Sequence, residues 1–116
     1  MDLTNKSSYD KSDNNKNKDD DVISHRYVNY TSDAVIRALG NDYKEYGRYV
    51  YDKNTFPKTE MDPDYSKYLS EKDYGKEIMV LSWRINNKNV CIWFILHEDG
   101  TFVSFDSVEY TDDVEF

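Results

Sequence analysis

The chain has 116 residues, a net charge of −8 and a single cysteine, Cys91. One cysteine excludes an intrachain disulfide, and the acidic balance argues against direct nucleic-acid binding. No apolar run approaches the roughly 18 residues that a membrane span needs, and no signal-peptide pattern is present, so the sequence predicts a soluble, cytoplasmic protein.

Residues 1–21 consist almost entirely of Asp, Lys, Asn, Ser and Thr. Such a segment cannot bury enough apolar surface to offset the entropy lost on folding, so it is predicted to be a disordered polar tail. The rest of the chain, residues 22–116, is predicted to form a single α+β domain. Its first residues, 22–28 (VISHRYV), fit either a helical turn or an extended lead-in.

Residues 29–42 (NYTSDAVIRALGND) carry the signals of a short helix. Thr31 or Ser32 can cap its first amides, and Gly40 followed by Asn41 is typical of a helix end. Between these signals, apolar residues recur at helical spacing, which predicts a helix of about two turns.

Two further elements are predicted before the last forty residues. Residues 47–57 (GRYVYDKNTFP) resemble a short edge strand that ends before Pro57. Residues 62–75 resemble a second short helix, which begins near Asp62 or Asp64 and ends at Gly75.

The last forty residues read as an antiparallel meander with strands at 77–85, 90–97 and 101–110. Polar turns, NNKN and EDG, separate these strands. The predicted fold class is therefore α+β, with two short helices packed on one face of a three- to four-stranded antiparallel meander. Alternation along the middle strand places Cys91, Trp93 and Ile95 on one face, which two short helices would leave bare. Another chain, with a second copy as one candidate, is expected to complete that face as a dimer.

Acidic residues concentrate at the C-terminal end, where residues 97–116 contain seven Asp or Glu and no Lys or Arg. A surface of one sign selects partners of the opposite sign. The alternative interpretation is a frayed acidic tail kept for solubility. The predicted partner-binding residues are Asp106, Glu109, Tyr110, Asp112, Asp113, Glu115 and Phe116.

Catalytic and metal sites are not predicted. The chain has only two histidines, His25 and His97, and only four glycines, so a two-histidine metal motif and a glycine-rich phosphate loop are both improbable. Cys91 lies inside an apolar strand, where a thiol is normally inert. The sequence therefore indicates a protein that is not an enzyme and that needs no metal or cofactor.

The order of cap, helix, tyrosine-rich link and meander resembles a family of small α+β domains. The matching residues are Thr31, Val35, Leu39 and Gly40 in the helix, with Asp99 and Gly100 in the last turn. The pattern is similar to SmpA/OmlA-type outer-membrane assembly lipoproteins and to β-lactamase-inhibitor proteins. The resemblance implies a non-enzymatic domain that docks its sheet on another protein.

The sequence as a whole favours a small acidic inhibitor, of the toxin-immunity type or the phage anti-defence (anti-CRISPR) type. It is expected to occlude a basic partner, such as a nuclease or another enzyme that acts on nucleic acids, without binding nucleic acid or membrane itself. The alternative function is a non-enzymatic scaffold or adaptor that oligomerises through the apolar sheet face.

Overall fold

A five-stranded antiparallel sheet organises the protein. The computed structural model describes residues 22–113. The strands are β1 (Val22–Ser24), β2 (Lys44–Val50), β3 (Glu77–Ile85), β4 (Lys88–Leu96) and β5 (Phe102–Thr111). Their spatial order is β1-β5-β4-β3-β2, which places β4 at the centre and β2 at one edge. Helix α1 spans Ser32–Leu39, and a single helical turn, α2 (Tyr65–Tyr68), precedes a 3₁₀ turn at Glu71–Asp73.

The predicted meander is confirmed as β3, β4 and β5, with boundaries that differ by one or two residues. The β3–β4 turn consists of Asn86 and Asn87, whose φ angles of 51° and 69° lie in the left-handed region that asparagine tolerates. In the β4–β5 turn, the His97 amide donates to the Thr101 carbonyl at 2.8 Å. Both turns therefore fix the register of the central strands.

Helix α1 covers the first face of the sheet. The Thr31 hydroxyl accepts a hydrogen bond from the Ala34 amide at 3.1 Å, and Gly40 ends the helix with a φ of 103°. The predicted cap and the predicted helix end are thus confirmed. Val35 is fully buried among alternate residues of the central strands. These first-face residues are Met79, Leu81, Trp83, Val90, Ile92 and Phe94.

The second face is covered by the segment between β2 and β3, residues 51–76. Tyr51, Tyr65 and Leu69 of this segment are buried against the sheet. The Tyr65 ring lies 6.2 Å from the Tyr51 ring and 6.3 Å from the Phe105 ring, measured between centroids. Tyrosine rings therefore cover the second face, as helix α1 covers the first face. Each ring can do so because it removes a large apolar area from water.

The predicted fold class is wrong in the number of strands and in the placement of the helices. The fold is dominated by its five-stranded sheet, and α1 is the single helix longer than one turn among residues 22–113. The predicted second helix shrinks to α2 and a 3₁₀ turn, and it lies on the face opposite α1. Residues 22–28, which fitted two conformations, begin as the edge strand β1.

The prediction of a bare second face is also wrong. Cys91, Trp93 and Ile95 retain only 3%, 2% and 5% of their exposure, because residues 51–76 of the same chain pack over them. The residues proposed as a dimer face therefore form part of the core of the single chain. The sheet face needs no second chain to remove it from water. The predicted tail, residues 1–21, lies outside the described residues.

Cys91 should resist thiol reagents in the folded protein. Burial raises the pKa of its thiol to about 12, and the thiolate is the form that reacts. Iodoacetamide at about pH 8 should therefore label the native protein far more slowly than the denatured protein, as followed by mass spectrometry. Equal labelling rates in the two states would show that the 51–76 layer opens freely.

Candidate functional site

The acidic residues predicted to form one surface are separated by the fold. Strand register places Asp106 opposite Trp93 on the second face and Glu109 opposite Val90 on the first face. Both carboxylates are buried, with 7% and 6% exposure. Asp112 and Asp113 follow the end of β5 and are exposed, whereas Glu115 and Phe116 lie outside the described residues. The described members of the predicted set therefore do not form one exposed acidic surface.

Asp106 fixes the start of the domain to β5. One of its carboxylate oxygens lies 2.7 Å from Nδ1 of His25, and the same oxygen accepts the Ser107 amide at 2.9 Å. The Tyr68 hydroxyl lies 3.4 Å from the His25 ring nitrogens. His25 itself has a φ of 65°, which is uncommon for a non-glycine residue. The Asp106 carboxylate thus ties β1, α2 and β5 together.

Three further members of the predicted set make contacts within the domain. Glu109 lies 3.4 Å from the guanidinium of Arg26. Asp112 forms two hydrogen bonds of 2.6 Å with the guanidinium of Arg84. Tyr110 is half-buried against the second-face core. These contacts reduce the charge and the ring area that the strand β5 region can offer to a partner.

The stability contributed by Asp106 should fall as the pH rises. Burial raises the pKa of this carboxyl above its ordinary 3.8, against the opposing effect of His25. In the window just above pH 3.8, the folded protein therefore holds a proton that the unfolded chain has released. The free energy of unfolding of wild type minus that of Asp106→Asn should decrease through this window, measured by urea titration at a series of pH values. A difference that increased with pH would contradict this sign.

Exposed apolar side chains cluster instead around strand β2. Tyr46 and Phe56 are 68% and 60% exposed, and Val50 and Tyr43 are exposed as well. Strand β2 pairs with β3 alone, so no other strand in the described part of the chain pairs with its outer backbone edge, although the Thr55 hydroxyl lies 3.5 Å from the Val50 carbonyl. The register shifts between Glu45 and Gly47, which makes Tyr46 the extra residue of a β-bulge. Tyr46 therefore has no partner in the β2–β3 register, and its ring is exposed.

A cavity of about 480 Å³ lies between β2 and the segment that covers the second face. Its walls come from β2 and from residues 52–62, and Val80 and Trp93 form part of its lining from the central strands. Five aromatic rings line it: Tyr46, Tyr49, Phe56, Tyr65 and Trp93. We refer to this space as the aromatic cavity. A volume of this size matches sites that take a side chain or a small ligand.

Polar groups of the aromatic cavity are held in place by local hydrogen bonds. The hydroxyls of Tyr49 and Tyr65 lie 2.6 Å apart, and burial raises the pKa of both, so both stay neutral at physiological pH. Asp62 accepts the backbone amides of Lys58 and Thr59 at 2.9 and 3.2 Å. The walls of the cavity therefore combine rings with a fixed carboxylate.

A second cavity of about 360 Å³ adjoins the first, and Tyr46 and Met61 line both. It extends over Ser82, Cys91 and Tyr110 towards the β3–β4 turn. Together the two cavities form a groove along the second face beside β2. The candidate functional site is this groove with the exposed rings of Tyr46 and Phe56 at its rim.

Sequence reasoning assigned residues 47–57 to an edge strand and did not identify them as a binding site. The available signal was three aromatic residues at Tyr46, Tyr49 and Tyr51 within an otherwise charged stretch, followed by Phe56 before a proline. Their exposure depends on the bulge and on the path of residues 52–62, which no local pattern reveals.

Within residues 22–113, no cluster of three or more His, Cys, Asp or Glu side chains has the arrangement of a metal site. The same part of the chain contains no helix that is both long enough and apolar enough to span a bilayer. Comparison of the chain with protein-family models, curated proteins and solved structures finds no match. The resemblance to small lipoprotein and inhibitor domains therefore stays a prediction.

Proposed function

We propose that this protein is a small cytoplasmic inhibitor that binds a basic partner protein, such as an enzyme acting on nucleic acids. The observation that carries the proposal is the exposure of the Tyr46 and Phe56 rings at the rim of the groove, beside the outer edge of β2. Exposed aromatic rings next to a preformed groove are typical of the anchors that dominate protein–protein binding.

The charge of the chain selects the class of partner. A net charge of −8 favours encounter with a positively charged surface and disfavours nucleic acid itself. The proposed docking surface is the β2 side of the domain, in place of the C-terminal acidic cluster, because Asp106 and Glu109 are buried. Toxin immunity and phage anti-defence are both consistent with an inhibitor of this kind.

The test is affinity capture by the full-length protein from a lysate of the cells that produce it. We expect a basic protein to be retained at low salt and released at high salt, because screening weakens long-range attraction. The double variant Tyr46→Ala/Phe56→Ala should reduce its retention by about tenfold or more. Added wild-type protein should then block the nucleic-acid binding or cleavage activity of the captured partner.

Tyr74→Ala is the matched control, because Tyr74 is 44% exposed but does not line the groove. It should retain the partner as wild type does. Equal capture by the double variant would remove β2 as the docking surface. A captured partner whose activity is unaffected by saturating wild-type protein would refute inhibition.

A further inference from the structure

We infer that the aromatic cavity is a receptor for a cationic side chain, and specifically for an arginine that the partner inserts. This inference rests on the proposed function, since it names the group by which a basic partner would be recognised. Guanidinium is planar, stacks on aromatic faces and forms paired hydrogen bonds with carboxylates. The lining of the cavity contains both aromatic rings and carboxylates.

The rings supply the first kind of contact. Tyr46 and Phe56 stand at the exposed rim, while Tyr49, Tyr65 and Trp93 lie deeper and are wholly or partly buried. A cation that enters at the rim would exchange water for contact with the exposed rings of Tyr46 and Phe56, above the buried rings of Tyr65 and Trp93. The chain already makes such a contact elsewhere, because the Arg48 guanidinium carbon lies 5.4 Å from the centroid of the Phe102 ring.

Two carboxylates supply the second kind of contact. Asp52 and Asp62 both line the aromatic cavity, against a single basic residue, Lys58. Local hydrogen bonds engage Oδ1 of Asp52, which accepts the Asn54 amide at 2.8 Å, and Oδ2 of Asp62. These bonds fix both carboxylates before a ligand arrives and leave the other oxygen of each as the proposed acceptor for guanidinium. The lining is therefore aromatic with an acidic excess, which complements a cation.

The size of the cavity favours a side chain over a whole peptide segment. At about 480 Å³ it has room for a guanidinium with its alkyl stem. The outer edge of β2, which pairs with no other described strand, could at the same time engage extended backbone of the partner. An arginine anchor in the cavity would set the register of that contact.

The test uses two small probes of nearly the same shape, n-butylguanidinium and the neutral n-butylurea, titrated into the full-length protein. NMR should show a saturable shift of the Trp93 indole N–H with n-butylguanidinium, while the Trp83 indole on the opposite face stays unchanged. n-Butylurea should bind at least about tenfold more weakly, because the cation–ring and carboxylate contacts need the charge.

Phe56→Ala and Asp62→Asn should each weaken n-butylguanidinium binding by about fivefold or more, while Tyr74→Ala should leave it unchanged. Phe56 is exposed, so its removal tests the rim without disturbing the core. Equal binding of the two probes would overturn the cation receptor in favour of a general apolar cavity, and no saturable Trp93 shift would overturn it as well. The probes need no partner protein, so failure of probe binding would not contradict the capture result. In the same way, failure to capture a partner would not contradict probe binding.

Discussion

Phe94→Ala should lower the free energy of unfolding by about 3–5 kcal/mol, the cost of removing a fully buried phenylalanine and leaving a cavity. Phe94 has 0% exposure and packs on the first face in the same cluster as Val35 of α1. Because small domains are stable by only about 5–15 kcal/mol, the variant should unfold at much lower urea concentration. Equilibrium urea titration, followed by circular dichroism, measures this difference.

Phe56→Ala provides the matched control for the same chemical change. Phe56 is 60% exposed at the rim of the aromatic cavity, so its truncation should alter stability by no more than about 0.5 kcal/mol. The contrast between the two variants separates core packing from surface binding. A small effect of Phe94→Ala would mean that the first face of the sheet is not the tightly packed layer described above.

The alternation of apolar residues was sufficient to predict the central strands and their two faces. Met79, Leu81 and Trp83 share one face with Phe94, and Trp93 lies on the other, as a period of two requires. The helix signals at Thr31 and Gly40 were equally reliable, because capping depends on neighbouring residues only. Local sequence patterns were therefore sufficient to predict helix α1 and strands β3, β4 and β5.

The edge strands were harder to predict because their pattern is weak. Strand β1 has three residues, and β2 mixes charged and aromatic residues around a bulge at Tyr46. Their pairing comes from the sheet: Ile23 of β1, for example, pairs with Glu109 of β5. Contacts between distant parts of the chain determine these strands, and local sequence patterns do not predict such contacts.

The candidate site was missed for a related reason. The density of acidic residues after His97 suggested one surface, but the pairing of Asp106 with His25 joins residues 81 positions apart. Neither burial nor ion pairing of a carboxylate can be read from its neighbours in sequence. The aromatic cavity likewise depends on how residues 52–62 return over β2.

Because residues 51–76 cover the second face, a charge introduced at the centre of that face should prevent folding. Trp93→Asp should abolish cooperative folding, because it combines two losses. Removal of a buried tryptophan side chain costs about 3–5 kcal/mol, and an unpaired buried charge adds several more. The new carboxylate would stand opposite Asp106 in the sheet register, where a buried carboxylate is already present. Tyr46→Asp, at a position 68% exposed, should remain folded and serves as the control. Circular dichroism measures folding and light scattering measures the mass in solution. A well-folded, monomeric Trp93→Asp protein would mean that residues 51–76 do not cover this face, and that the face is available to another chain.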